Sequence, residues 1–120
     1  MAPVALRARL EHILEAVALI ETHTSGKTFE QYAADPLLQA AVERWLLTVS
    51  EAARFVPDEH RQRHPEIPWR SVADLGNVLR HAYDRVFASR VWAVVEEHLP
   101  TLRTAVEALL AEQQGGSSGT

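Results

Sequence analysis

The spacing of apolar residues near the start of the chain fixes the fold class before anything else does. Leu6, Leu10, Ile13, Val17 and Ile20 recur at steps of 4, 3, 4 and 3. Such a series lies along one face of an α-helix and scatters over both faces of a strand. The same period returns in Leu38, Val42, Trp45, Val49, Ala52 and Val56, with Leu46, Leu47 and Ala53 widening that face. It returns again in Val91, Trp92, Val95, Leu99, Leu102, Val106, Leu109 and Leu110. No segment alternates with period two and none repeats. The chain reads as all-α, an up-and-down bundle of four to five helices with short connections.

Local signals place the boundaries. Helix one is expected from Pro3 to Glu21, with Gly26 taking a left-handed conformation after it. Thr28 and Gln31 form a capping-box pattern opening a short helix to about Ala34. Asp35-Pro36 then caps a helix reaching about Phe55. Its wide apolar face predicts a second contact, with another subunit as one candidate. Pro57 to Pro68 reads as irregular, because its prolines and charges interrupt any regular element. A central helix follows from Trp69 to Val86 or Phe87. Ser89 is expected to cap the last helix, and Pro100 to kink or break it at Leu99. Residues 1–113 read as one domain and 114–120 as a flexible tail.

The central helix carries the chemistry. Asn77, Arg80, His81 and Asp84 fall within an arc of about 100°, with Tyr83 beside it. Leu75, Val78, Leu79, Ala82 and Val86 lie opposite and are expected to face the core. Gly76, inside this helix, costs roughly 1 kcal/mol against Ala and marks a close approach. On the preceding helix Arg44 and Glu51 are seven residues apart and share a side. They read either as an exposed pair or as groups pointing toward the central helix. A polar arc opposite an apolar one is, on periodicity alone, ordinary solvated surface; the clustering of Arg, His and Tyr favours a site.

Composition narrows the class. Net charge is −4, with eleven Arg against the single Lys27. That excludes a broad basic footprint for nucleic acid, though not a small site that cuts a flexible strand. There is no cysteine, hence no thiolate metal site, and a reducing, cytoplasmic setting fits. The N-terminus shows no signal-peptide pattern, and no apolar run is long enough to span a membrane. His60 and His64 have i, i+4 spacing, but Pro65 disfavours the helix a metal pair would need. His12 and His98 read as helix-surface residues. No metal or cofactor is expected.

Three stretches, VERWLLTVSEAARF, HPEIPWRSVADLGNVLRHAYDRV and VWAVVEEHLPTL, together resemble the HepT-like branch of the HEPN superfamily. The correspondence runs in order through Arg44 and Glu51, Pro68-Trp69-Arg70, Asn77, His81-Ala82-Tyr83, Val91-Trp92 and Leu99-Pro100. The resemblance implies an all-helical bundle that pairs into a homodimer. It implies a toxin-like, metal-independent endoribonuclease acting on RNA, paired with a minimal nucleotidyltransferase antitoxin that adds AMP to the motif tyrosine, here Tyr83. The family signature is an Arg followed by a polar residue, then a His, any residue and a Tyr. This chain departs from it: Gly76 stands where the Arg belongs, and Arg80 directly precedes His81. Arg80 or Arg44 is left to supply the cation. The alternative reading is a catalytically weakened or inactive module that docks the nucleotidyltransferase. A third is a purely structural bundle with Trp45, Trp69 and Trp92 in its core.

Overall fold

A computed structural model describes residues 2–80 and 85–118, with side chains described for residues 6–80 and 87–113. The helices are α1 Ala2–Thr24, α2 Phe29–Ala33, α3 Pro36–Ala53, α4 Asp58–Gln62, α5 Trp69–Leu79, α6 Arg85–Ala93 and α7 Leu99–Ser118. A π-helical turn, Val94–His98, joins the last two. Among the described residues there is no strand, and no helix is long and apolar enough to cross a membrane. The side chains of the expected tail, 114–120, all lie outside those described.

The caps act where the residues place them. Thr28 accepts from the Gln31 N–H at 3.2 Å, and Gln31 returns a bond to the Thr28 N–H at 2.9 Å. Asp35 Oδ1 accepts from the Leu38 N–H at 3.0 Å, with Pro36 opening α3. Gly26 has φ +75°, the left-handed conformation that follows the end of α1. α1, α3 and α7 pack together through the expected stripes: Leu10, Ile13, Val17, Val42, Leu46, Leu99, Val106 and Leu109 are all buried. Arg103 ties α7 to α1 through Glu21 at 2.6 Å.

Four expectations are corrected. The segment after Pro57 is not irregular throughout. Pro57 caps α4, whose first turn carries Asp58 and Glu59, well placed against the helix dipole. Arg61 then fastens α4 to the end of α3, donating to the carbonyls of Val56 at 2.8 Å and Ala53 at 3.1 Å. The central helix stops at Leu79, with Arg80 in the following turn, and residues 81–84 lie outside the described ones. Ser89 lies inside α6 and does not cap a helix. The distortion before Pro100 is the π turn. Proline has no N–H and its ring crowds the carbonyl four residues back, so the wider turn makes room. The Leu99 N–H accordingly reaches back five residues to Val94.

α5 is also rolled relative to expectation. Trp69 and Gly76 are its buried residues; Leu75 and Leu79 are half-buried, and Val78 is 38% exposed. Val78 faces a groove shared with Phe87, Val91 and Val94. The cause is the packing of α5 on α3, which also takes up the surplus apolar face of α3 expected to need a second contact.

Candidate functional site

α3 and α5 meet at a serine set against a glycine. Ser50 Oγ donates to the Ala73 carbonyl at 2.8 Å and accepts from the Gly76 N–H at 3.0 Å. Arg54 Nε donates to the same carbonyl at 3.2 Å. A Cβ on Gly76 would stand 3.2 Å from Ser50 Oγ and 3.3 Å from Leu47 Cδ1. The close approach expected at Gly76 is therefore real, and side chains of α3 make it. Ser50 itself is the positioning residue that the sequence reading missed. Its signal was a hydroxyl on an otherwise apolar face, between Val49 and Ala53.

These contacts fix the register. Advancing on α5 from Ala73 to Gly76 means retreating on α3 from Arg54 through Ser50 to Leu47, so the helices run antiparallel. One turn past Gly76 is Arg80; one turn before Leu47 is Arg44. At 100° per residue, Arg44 and Glu51 lie to one side of Leu47, and Asn77 lies to the corresponding side of Gly76. In an antiparallel pair those sides adjoin. Arg44, Glu51, Asn77 and Arg80 thus line one edge of the seam, and all four are exposed. The opposite edge is apolar, with Leu46, Val49, Val72 and Leu75 around a small cavity.

Within the edge, Arg80 Nη1 donates to Asn77 Oδ1 at 3.3 Å. Among the described residues no ion pair joins Arg44 to Glu51. His81, Tyr83 and Asp84, the other expected site residues, lie outside the described ones. Behind Arg44, burial raises the pKa of the Glu43 carboxyl. Tyr32 is fully buried against Trp92, with ring centroids 5.1 Å apart, and its hydroxyl has no hydrogen-bond partner. Burial, and then the Glu43 charge, push that phenol well above its ordinary range.

The two loop histidines do not converge. His60 is buried on α4 and accepts from Arg63 Nη2 at 2.6 Å. His64 lies beyond the end of α4, with Nδ1 3.3 Å from Glu66 and Nε2 3.6 Å from Glu112. Among the described residues no group of three or more His, Asp or Glu is gathered as a metal ion would require.

The family model described as ribonuclease HepT-like matches residues 13–109, from the middle of α1 to the middle of α7. The chain belongs to the HepT-like ribonuclease family. It is 40% identical over 100 residues to a probable ribonuclease HepT of Thermococcus cleftensis, covering 83% of this chain and 91% of that one. A provisionally named RNase of Caldanaerobacter subterraneus subsp. tengcongensis is 31% identical over 108 residues, covering 90% and 96%. A Methanocaldococcus jannaschii protein named both as a gamma-glutamylcyclotransferase and, provisionally, as an RNase is 33% identical over 103 residues. That match covers 86% of this chain and 46% of the larger protein. No solved structure matches. The all-helical architecture agrees with a HepT-like, HEPN-type bundle. In this HepT-like chain Gly76 faces α3 across the Ser50 contact.

Proposed function

We propose that this HepT-like chain is a metal-independent endoribonuclease, the toxin of a toxin–antitoxin pair, working as a homodimer. The observation that carries the reading is the family match over residues 13–109, joined to an α3–α5 edge bearing Arg44, Asn77 and Arg80. Cutting RNA without a metal needs three tasks. A base takes the proton from a 2′-hydroxyl, whose oxygen attacks the adjacent phosphorus. Cations stabilise the charge that builds on the phosphorane oxygens. An acid protonates the leaving 5′-oxygen, giving a 2′,3′-cyclic phosphate and a free 5′-hydroxyl.

His81 is the acid–base candidate, since an imidazole titrates near neutrality. Arg80 supplies a planar fork for phosphate oxygens, held by Asn77. Arg44 adds a second cation from the facing helix. No residue at position 76 can reach the site from the α3 side without displacing Ser50, so these two arginines take the role of the missing motif Arg. One imidazole per chain is a thin toolkit, and a twofold pairing supplies the second. Tyr83 is the acceptor of AMP from a minimal nucleotidyltransferase antitoxin, which switches the toxin off. The single domain is taken as 1–113, with 114–120 as its tail, in the cytoplasm.

A second reading draws on one specific observation. Gly76 in place of the motif Arg, locked under Ser50, fits a module that binds the nucleotidyltransferase and cuts nothing. An RNA-cleavage gel in EDTA separates the two. The nuclease reading expects cutting by wild type, cyclic-phosphate ends, and loss with His81→Ala. Wild type as inert as His81→Ala would leave the binding module standing in its place.

A further inference from the structure

The exposed side of α3 continues the site edge and ends on an aromatic ring. Leu37, Arg44, Glu51 and Phe55 follow at steps of 7, 7 and 4, which keeps them near one side of the helix. Phe55, in the turn after α3, is 56% exposed. One of its faces is already occupied: the Arg9 guanidinium of α1 lies 3.8 Å from the ring centroid. The next residue back, Arg54, reaches Ala73 on α5. Arg70, one turn before Ala73 on α5, shares the side of Asn77 seven residues on and stands level with Arg54.

One end of the edge therefore carries Arg54 and Arg70 beside a ring backed by Arg9; the other end carries Arg44 and Arg80. Arg44 and Arg70 form no ion pair among the described residues, whereas Arg63 and Arg103 are held by Glu112 and Glu21. From Arg70 to Arg80 the edge runs about 15 Å, at 1.5 Å per residue. The carboxylates nearby are Glu51, in the row, Asp74, one turn past Arg70 on α5, and Asp58 and Glu59 at the start of α4; Glu59 lies 3.7 Å from His60. In a chain of net charge −4 this is a local concentration of cations beside an aromatic face.

We propose that this edge is the track for single-stranded RNA, with a base stacked on the open face of Phe55 and phosphates on Arg70, Arg54 and Arg44. A cation-backed ring with a free outer face suits a splayed base of any identity. The row of guanidinium groups beside it suits a flexible backbone. The proposal rests on the ribonuclease reading for its substrate class. It extends the site about three helical turns from Arg80 back to Arg70.

The test uses the full chain and a labelled single-stranded oligonucleotide carrying 2′-O-methyl groups, which removes the attacking hydroxyl. Affinity is read by fluorescence anisotropy in EDTA across a salt series. Phe55→Ala is expected to weaken binding roughly fivefold or more, with the salt slope unchanged. Arg70→Gln is expected to weaken it and flatten the slope by about 0.7. Glu51→Gln is expected to tighten it. Variants that bind like wild type overturn the proposal. So does a loss of dimer in sedimentation with Phe55→Ala at unchanged RNA affinity, which makes this face a contact between copies. Cleavage of ordinary RNA is scored separately. Cutting with neutral variants removes the track and keeps the nuclease. Variant-sensitive binding without cutting keeps the track and removes the nuclease. Neither binding nor cutting removes both.

Discussion

Substituting Gly76 by Ala tests the seam on which the site geometry depends. In an open helix the change gains about 1 kcal/mol, the usual difference in helix propensity. Here the added methyl would stand 3.2 Å from Ser50 Oγ and 3.3 Å from Leu47 Cδ1. Leu47 presents the end of a flexible side chain and can turn aside. Ser50 cannot do so freely, because its hydroxyl is bonded to both Ala73 and Gly76. Overpacking of this kind costs about 1–3 kcal/mol, and weakening the serine bond adds about 1 kcal/mol. Gly76→Ala should therefore destabilise by about 1–3 kcal/mol and lower Tm by roughly 4–12 °C. Ser50→Ala alone should cost about 1 kcal/mol. The cost is modest because, inside α5, the backbone groups it serves also have helical partners. With the oxygen gone, the nearest Ser50 atom to the new methyl is Cβ at 3.9 Å, an ordinary contact. Gly76→Ala should then stabilise the Ser50→Ala protein by up to about 1 kcal/mol. A urea-denaturation double-mutant cycle should thus return a coupling of about 2–4 kcal/mol, with a change of sign. If Gly76→Ala raises stability in the wild-type background, or acts equally in both, the tight-seam account is wrong.

Three other measurements probe the surroundings of the site. Glu43 has a carboxyl pKa raised by burial, so the folded chain holds its proton more tightly than the unfolded one. The stability this gives is present at low pH and is lost as pH rises through the raised value. Glu43→Gln should therefore raise Tm at pH 7, and the difference should close below about pH 4. Asp35→Ala removes the cap of the helix that carries Arg44 and should cost about 1 kcal/mol in chemical denaturation. Arg103→Gln breaks a part-exposed pair with Glu21 and should cost no more than about 1 kcal/mol, shrinking further at high salt.

What could be read from the residues alone divides along a physical line. The stripe Leu6 to Ile20, the Thr28–Gln31 box and the Asp35-Pro36 cap are local, and each acts as its spacing says. α4 escaped notice because five residues between prolines are too few for a period, and it is held from outside by Arg61. The roll of α5 escaped for a different reason. Leu75, Val78 and Leu79 are the most apolar residues of that helix, so a moment drawn from sequence points them inward. The tightest contact instead belongs to Gly76, which contributes nothing to a hydrophobic stripe and everything to how near α3 can come. Asn77 and Arg80 were assigned to one face correctly. That Arg44 stands on the same edge depends on register, which only the Ser50 contact supplies.

That register also separates folding from chemistry. The groups holding α3 to α5 are a buried serine, a glycine and the apolar edge through Leu46, Val49, Val72 and Leu75. Of the groups assigned to RNA, Arg44, Asn77, Arg80, Arg70 and Phe55 sit on the exposed edge and bury little surface, whereas Arg54 also bonds across the seam, to Ala73. Surface substitutions of this kind usually shift stability by about 0.5 kcal/mol or less. Changes there should therefore alter RNA affinity or cutting at nearly constant Tm, whereas changes at Ser50 or Gly76 should move both together, because they displace the arginines of one helix relative to the other. If Ser50→Ala lowers Tm but leaves RNA affinity and cleavage untouched, the alignment of Arg44 with Arg80 has no part in the function.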